Sequence, residues 1–449
     1  MAIQARSATR SPALKFFAVG ILTFLMVVPL FMIYAVLYER TGRASEAAAD
    51  IAQGWGGPQR VSGPFLAVPF TMVEQREENG RITNVTVRRT ALFLPKSLDV
   101  AAQADVSQRQ RGIFPVNVYD SELALTGSFT APSFYALAVT PLQIDWRNAA
   151  LFMLISDVRG IAENSAVDFG EGRVMSFAPG LGVEVSGYSG IHASVPFSES
   201  GQALSFSIKV KLKGSQSLSF SPVGEDTNVT VKSNWPHPSF QGAFLPDART
   251  ISAQGFDASY RIPYLRRSID QQTINPENAL YAADSAQFGV RFYEPVDLYQ
   301  LVERALKYAI LFVGLSFLVF FLTEILSGGQ VHVVQYLLAG SAQVLFYLLL
   351  LSLSEHAGFD RAYQAAAGAT VLLTALYAWS ALRSFVLGLL VLVLIGSLYG
   401  LLYLLLKEED YALLIGSVAA FAVLAVTMFV TRNIDWYQVV RAQALPDNE

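Results

Sequence analysis

Residues 16–38 read FFAVGILTFLMVVPLFMIYAVLY and contain no charged side chain. At a rise of 1.5 Å per residue, a helix of this length reaches roughly 35 Å, which is enough to cross a hydrocarbon core of about 30 Å. A cleavable signal peptide is the alternative, but its apolar region would be shorter, about 7–15 residues. The stretch therefore predicts a first transmembrane helix that stays in the protein, with a kink at Pro29.

The C-terminal third of the chain repeats this apolar character. Five further spans are predicted near 305–326, 331–353, 362–382, 384–406 and 410–430. The positive residues Arg6, Arg10 and Lys15 place residues 1–15 in the cytoplasm, and six crossings return the tail, 431–449, to the same side. Only Arg383 separates the predicted spans 362–382 and 384–406. If these residues formed one long broken helix instead, the tail would lie on the opposite side of the membrane.

The region between the first and second spans, residues 39–304, has a soluble composition. It opens with a helical continuation of the first span and then alternates apolar and polar residues in short runs rich in Val, Ser, Thr and Phe. Gly, Pro, Asn and Asp separate the runs, which is the pattern of antiparallel strands. Many strands at this spacing predict a β-sandwich-like domain on the far side of the membrane, either one extended domain or two fused ones.

Composition excludes several functions. The net charge is −4, and no basic run with interleaved aromatic residues suggests nucleic-acid binding. The chain has no cysteine, which removes disulfides, thiol catalysis and thiolate metal ligands. No zinc-protease, phosphate-loop or serine-nucleophile motif is present. We therefore expect no metal, no cofactor and no catalytic residues.

The stretch SNWPHPSFQGAFLP, residues 233–246, is the most unusual in the soluble region. Pro236 and Pro238 must end the preceding strand and stiffen the chain, because proline donates no ladder hydrogen bond. Trp235 then serves as a packing anchor. A metal site at His237 would need partner ligands that the sequence does not supply, and a ligand-binding edge formed by Trp235 and Phe240 is a third possibility.

Ionisable residues near the ends of the spans are the other candidates. Glu324 and His332 flank the SGGQ turn and could pair at the inner surface, although a carboxylate that reaches the headgroups is the simpler interpretation. Glu355 and His356 lie at the outer end of the third span. They could sense acidity or only mark a polar loop, and Arg304 could pair with Glu355.

The segment TRNIDWYQ follows the last span. Arg432 and Asp435 are three residues apart and could pair on one helix face. Trp436 is suited to the headgroup region. We interpret this segment as a structural stop signal for the membrane.

Several motifs together resemble the CreD family of Gram-negative inner-membrane proteins. They occur in the family's order over nearly the whole chain and read GPQRVSGPFLAVP, SNWPHPSFQGAFLP, ERALKYAILF, QYLLAG, FYLLLLSLSEHAGF and TRNIDWYQ. One departure is His332-Val333, where the family usually has His-Pro. The resemblance implies a role in cell-envelope integrity and envelope stress, with no established activity, ligand or cofactor, and it places residues 39–304 in the periplasm.

The leading hypothesis is therefore an inner-membrane protein of six transmembrane helices with a large inserted periplasmic β-sandwich-like domain. It would support the envelope without catalysis, by binding the bilayer and a periplasmic or membrane partner or envelope component. Two alternatives remain. One is a transporter or flippase-like carrier of an envelope lipid or peptide, and the other is a membrane-tethered envelope hydrolase.

Overall fold

A computed structural model describes residues 12–78, 81–197, 201–292, 298–327, 331–408 and 411–432. It divides into two compact units. A helical unit contains the residues up to Arg43 and those from Val296 onward, and a β-rich unit contains Ala44–Pro295. We call them the helix bundle and the β-domain.

The helices of the chain are long and apolar except for one in the β-domain. Their bounds are α1 (Pro12–Leu25), α2 (Val27–Trp55), α3 (Pro276–Ser285), α4 (Leu298–Ser327), α5 (Val333–Ala357), α6 (Phe359–Leu382), α7 (Phe385–Lys407) and α8 (Ala412–Thr431). Within the described ranges, six helices are long and apolar enough to cross a membrane, with α1 and α2 together forming the first. The interruption at Met26 fits Pro29, which has no N–H to donate to the Leu25 carbonyl.

Arg383 separates two spans rather than lying inside one. Its backbone adopts the left-handed conformation, with φ of 52°, at the C-terminal end of α6. Ser384 then caps α7 by accepting a hydrogen bond from the Leu387 N–H. A left-handed residue ends an α-helix, so α6 and α7 are antiparallel neighbours and not one broken helix.

A glycine lets three helices approach in the middle of the bundle. Gly340 of α5 faces Phe317 of α4 and Met26 of the first span. A Cβ added at Gly340 would stand 2.6 Å from Phe317 Cζ and 3.1 Å from Met26 Sδ. Because membrane helices associate by close packing rather than by expelling water, this contact helps to hold the first span against α4 and α5.

The strands of the β-domain range from two to twenty residues. Their bounds are β1 (Gln59–Glu78), β2 (Arg81–Phe93), β3 (Ser97–Arg111), β4 (Phe114–Phe129), β5 (Gln143–Ile144), β6 (Ala150–Ile155), β7 (Ala166–Asp168), β8 (Val174–Ser176), β9 (Ala178–Pro179), β10 (Gly190–Ser194), β11 (Leu204–Ser215), β12 (Ser217–Phe220), β13 (Asp226–Ser233), β14 (Pro238–Gly242), β15 (Ala248–Ser252), β16 (Gly255–Pro263), β17 (Gln272–Thr273) and β18 (Phe288–Phe292).

These strands form two sheets. The first has the order β14-β18-β12-β1-β6-β10-β9, with β2 and β5 also on β1 and β17 on β2. The second has the order β15-β16-β13-β3-β4-β11-β7-β8. Pairing is antiparallel except for β1 with β12 and β3 with β13.

One hydrophobic core joins the inner faces of the two sheets. Alternation sets these faces: in β3, Leu98, Val100 and Ala102 are buried and the residues between them are exposed. Aromatic rings of the two sheets meet in the core. The ring centres of Tyr119 from one sheet and Phe292 from the other are 5.0 Å apart. The predicted fold class, six spans with an inserted two-sheet β-domain, is confirmed.

The strands that alternation predicts differ from the observed strands at two places. Residues 182–195 alternate like one strand, but only Gly190–Ser194 form one. Left-handed glycines at Gly182 and Gly187 turn the preceding segment away from the sheet. Strand β3 was not predicted, because its small and polar residues resemble a loop.

We expect Gly340→Ala to destabilise the bundle. The added methyl would overlap the fully buried ring of Phe317, and overpacking of this kind costs about 1–3 kcal/mol. Gly368→Ala is the matched control, since a Cβ at that position in α6 meets nothing within 4 Å. Thermal unfolding of the purified protein in detergent should show a lower midpoint for Gly340→Ala only. Equal midpoints for the two variants would contradict the close approach.

Candidate functional site

Glu324 is a buried carboxylate at the end of α4. It is 5% exposed and accepts three hydrogen bonds. Lys15 of the first span forms an ion pair with it, the Val331 N–H donates at 2.9 Å, and the Tyr336 hydroxyl of α5 donates at 2.8 Å. One carboxylate therefore joins the first span, α4 and α5.

His332 lies next to this cluster but has a different role. Its Nδ1 accepts a hydrogen bond from the Val334 N–H, and the Gln335 side chain accepts one from the His332 N–H, which makes a capping box at the start of α5. The favoured interpretation, a Glu324 carboxylate that reaches the headgroups, is wrong because the side chain is buried, and the alternative pair with His332 does not form either. Lys15 supplies the cation, so the carboxylate stays inside the bundle.

Glu355 forms a second cluster at the other end of α5. Its side chain is 6% exposed, 3.8 Å from Arg40 Nε, and accepts a hydrogen bond of 3.1 Å from the Tyr299 hydroxyl of α4. The predicted Arg304–Glu355 pair is wrong. Arg304 instead donates to the carbonyls of Leu406 and Glu408, at the C-terminal end of α7, where unpaired carbonyls attract a cation.

The two clusters are built alike. Each joins the first span, α4 and α5 through one carboxylate, one cation from the first span and one tyrosine hydroxyl. Lys15 precedes Arg40 by 25 positions, and Tyr299 precedes Glu324 by 25 positions. This separation is roughly 37 Å along a helix, so the clusters lie close to the two edges of a hydrocarbon core of about 30 Å. After the sides of the membrane that the sequence predicts for them, we call them the inner tie (Lys15, Glu324, Tyr336) and the outer tie (Arg40, Glu355, Tyr299).

Charged residues in a membrane bundle usually mark a pathway or a pair. Here Glu324 and Glu355 each lie opposite a cation, and each also accepts a hydrogen bond from a tyrosine hydroxyl. The two ties therefore lock the first span in register with α4 and α5. His356, beside the outer tie, is exposed.

The Trp235–Pro238 segment connects the two sheets of the β-domain. Strand β13 ends at Ser233, and Pro238 opens the edge strand β14. Trp235 packs against the core, while His237 is exposed with its ring 6.4 Å from that of Trp235. A proline that begins an edge strand loses no ladder hydrogen bond.

Asn234 explains part of this motif and was missed as a candidate. Its side-chain carbonyl accepts from the Val106 N–H at 2.8 Å, and its amide donates to the Val106 carbonyl at 3.2 Å. The side chain thus extends the parallel pairing of β13 with β3 by one residue, after the backbone has turned away.

The start of the β-domain is held by hydrogen bonds of Gln59 and Asp157 that the sequence did not reveal, and we call this cluster the Asp157 clip. Gln59 is fully buried, and its amide donates to the carbonyls of Asp157 and Lys213. The Asp157 carboxylate accepts from the Gly57 N–H and from the Arg159 guanidinium. Hydrogen bonding to Arg159 lowers the pKa of Asp157 below its ordinary 3.8, and burial opposes this shift.

The remaining candidates lie at the end of the last span. The Arg432 guanidinium is 4.0 Å from the centre of the Phe429 ring. Asp435 and Trp436 lie outside the described residues. In the part of the chain that the structure describes, no three His, Asp or Glu side chains are grouped so that they could hold a metal ion.

Known proteins were compared with the whole chain. The family model "Inner membrane protein CreD" matches residues 11–437. The Inner membrane protein CreD of Escherichia coli (strain K12) is 34% identical over 418 residues, which cover 92% of this chain and 91% of that protein. An M1 zinc metallopeptidase from Deinococcus radiodurans aligns over 80% of this chain and 95% of its own, but a TM-score of 0.16 at 9% identity carries no argument. The first two matches confirm the family resemblance.

Reversing one charge of the inner tie should destabilise the bundle. We expect Lys15→Glu or Glu324→Lys to cost about 3 kcal/mol, because a buried charge then loses its partner. The double exchange should restore a large part of the midpoint of thermal unfolding in detergent. The exposed Glu39–Arg43 pair on α2 is the matched control, and its reversal should cost less than about 1 kcal/mol. If the decreases in the unfolding midpoint of the two single variants simply add up in the double variant, Lys15 and Glu324 do not form a stabilising pair.

The Asp157 clip makes a pH-dependent contribution to stability. Because the folded pKa is lowered, the contribution is present above pH 3.8 and is lost as the pH falls through the folded pKa. We expect Asp157→Asn to cost about 1–2 kcal/mol at pH 7 and to reduce the loss of stability below pH 4. Urea unfolding followed by tryptophan fluorescence at pH 7, 4 and 3 measures both effects. If the free energy of unfolding falls with pH as steeply in Asp157→Asn as in the wild type, this role of Asp157 is contradicted.

Proposed function

Because this chain belongs to the CreD family of inner-membrane proteins and its described residues include six helices apolar enough to span a membrane, we propose that it is a non-enzymatic membrane anchor that presents its β-domain to the periplasm. There the β-domain supports envelope integrity, and the response to envelope stress, by binding a partner or an envelope component. The observation that carries the proposal is the pair of ties: among the described residues, Glu324 and Glu355 each have a cation and a tyrosine hydroxyl as structural partners.

The charge pattern supports this orientation. Lys15, Arg383 and Arg432 fall at the same end of alternating antiparallel spans. That end would face the cytoplasm, together with both termini. Alkaline phosphatase fused after Val61 or Gln254 should be active, because that enzyme folds only in an oxidising compartment. Inactive fusions that are present in full amount would overturn the proposed orientation.

Complementation of a deletion strain separates an anchor from a carrier. We expect the Lys15→Glu/Glu324→Lys double variant, where the exchanged tie restores folding, to restore survival under envelope stress. A carrier that relays protons through Glu324 would fold with the exchanged charges and remain inactive. A folded but inactive double variant would therefore favour the carrier and contradict the anchor.

A further inference from the structure

A groove of about 450 Å³ lies in the β-domain, between the last turns of α2 and the tip of the β3–β4 hairpin. Its lining side chains are Asp50, Ile51, Gly54, Trp55, Arg109, Gln110 and Arg111. This volume falls in the range of small-molecule sites, about 300–1,000 Å³. Neither the membrane ties nor the family resemblance assigns it a role.

Trp55 lines the groove, and its indole ring is held in place by three contacts. Its indole N–H donates to the Tyr119 carbonyl at 3.3 Å. The Arg109 guanidinium lies 3.9 Å from the centre of its ring, and the Lys213 ammonium lies 4.3 Å from it. Contacts between a cation and an indole stabilise both partners, so the two cations are held over the ring.

Arg109 differs from many exposed arginines of the domain because no carboxylate of the described residues forms an ion pair with it. Arg88, Arg89 and Arg159 each pair with an acidic side chain, but among the described residues no ion pair forms at Arg109. A guanidinium held in a fixed plane presents several N–H donors in the geometry that suits a phosphate or carboxylate. Its donors remain available to a ligand in the groove.

The charge balance of the groove favours an anion. Arg109 and Arg111 face one carboxylate, Asp50, which pairs with Arg111 at 2.6 Å. Lys213 does not line the groove, and Asp120 lies opposite it in the β4–β11 register. The C-terminal end of α2 contributes only about half a negative charge. Positive charge therefore remains, centred on Arg109.

We propose that this groove binds a phosphate-type oxyanion carried by an envelope molecule, with Arg109 as the main contact and Trp55 as the residue that positions it. The inference rests on the proposed binding role of the β-domain and names the chemistry of its ligand. Two sources share that chemistry, a lipid headgroup and a soluble phosphorylated compound.

The test uses the full-length protein in nanodiscs of zwitterionic phosphatidylcholine. Pyrophosphate is titrated at constant ionic strength and binding is measured by calorimetry. We expect Arg109→Gln to weaken binding at least tenfold and Arg109→Lys to weaken it less. Arg147→Gln, which changes an exposed arginine of the turn Trp146–Asn148, is the matched control and should bind as the wild type does. Equal binding by wild type and Arg109→Gln, or no binding by either, would overturn the site.

Short-chain phosphatidic acid distinguishes the two sources. If the ligand is a headgroup, phosphatidic acid should displace pyrophosphate and bind more tightly; if it is soluble, pyrophosphate should bind more tightly. In both cases binding depends on Arg109.

Complementation of a deletion strain tests the link between this site and envelope function. If Arg109→Gln loses pyrophosphate binding but still restores survival, the anion site stands and its link to envelope function is contradicted. The opposite result is also informative. If the wild type binds pyrophosphate but the folded Lys15→Glu/Glu324→Lys variant does not restore survival, the proposed anchor function is contradicted and the anion site at Arg109 stands.

Discussion

The structure of the helix bundle depends on two carboxylates with buried side chains, Glu324 and Glu355, each of which lies opposite a cation. The first span supplies that cation at each end, as Lys15 and Arg40. This span is otherwise mostly exposed within the bundle. Charge pairing therefore adds to close packing at Gly340 and fixes the position of the first span along α4 and α5.

A tie of this kind gives register as well as attachment. Apolar helices in lipid can slide past one another at small cost, since every face meets hydrocarbon of similar character. A buried carboxylate that slid one turn away from its cation would face the cost of an unpaired charge. Two ties, about 25 positions apart on the first span, remove this freedom at both ends.

The β-domain uses neutral and charged hydrogen bonds for a comparable purpose. Gln59 and Asp157 fasten the first residues of β1 to two other segments, and Asn234 continues a ladder past its last backbone pair. In both units the polar residues at the edges of elements serve mainly to hold neighbours in register. The groove at Trp55 is different, because Arg109 lies against the indole ring and forms no ion pair within the part of the chain that the structure describes.

Much of the architecture was accessible from the sequence alone. Uncharged runs of twenty or more residues predict membrane helices, and period-two alternation predicts the strands, because both patterns follow from local geometry and solvent. Pairing could not be predicted in the same way. Lys15 and Glu324 are separated by 309 positions, and Asn234 and Val106 by 128. Local patterns of residues are thus enough to identify the membrane helices and the strands. The partner of each buried charge emerges only in the folded chain, because it depends on distances between residues that are far apart in sequence.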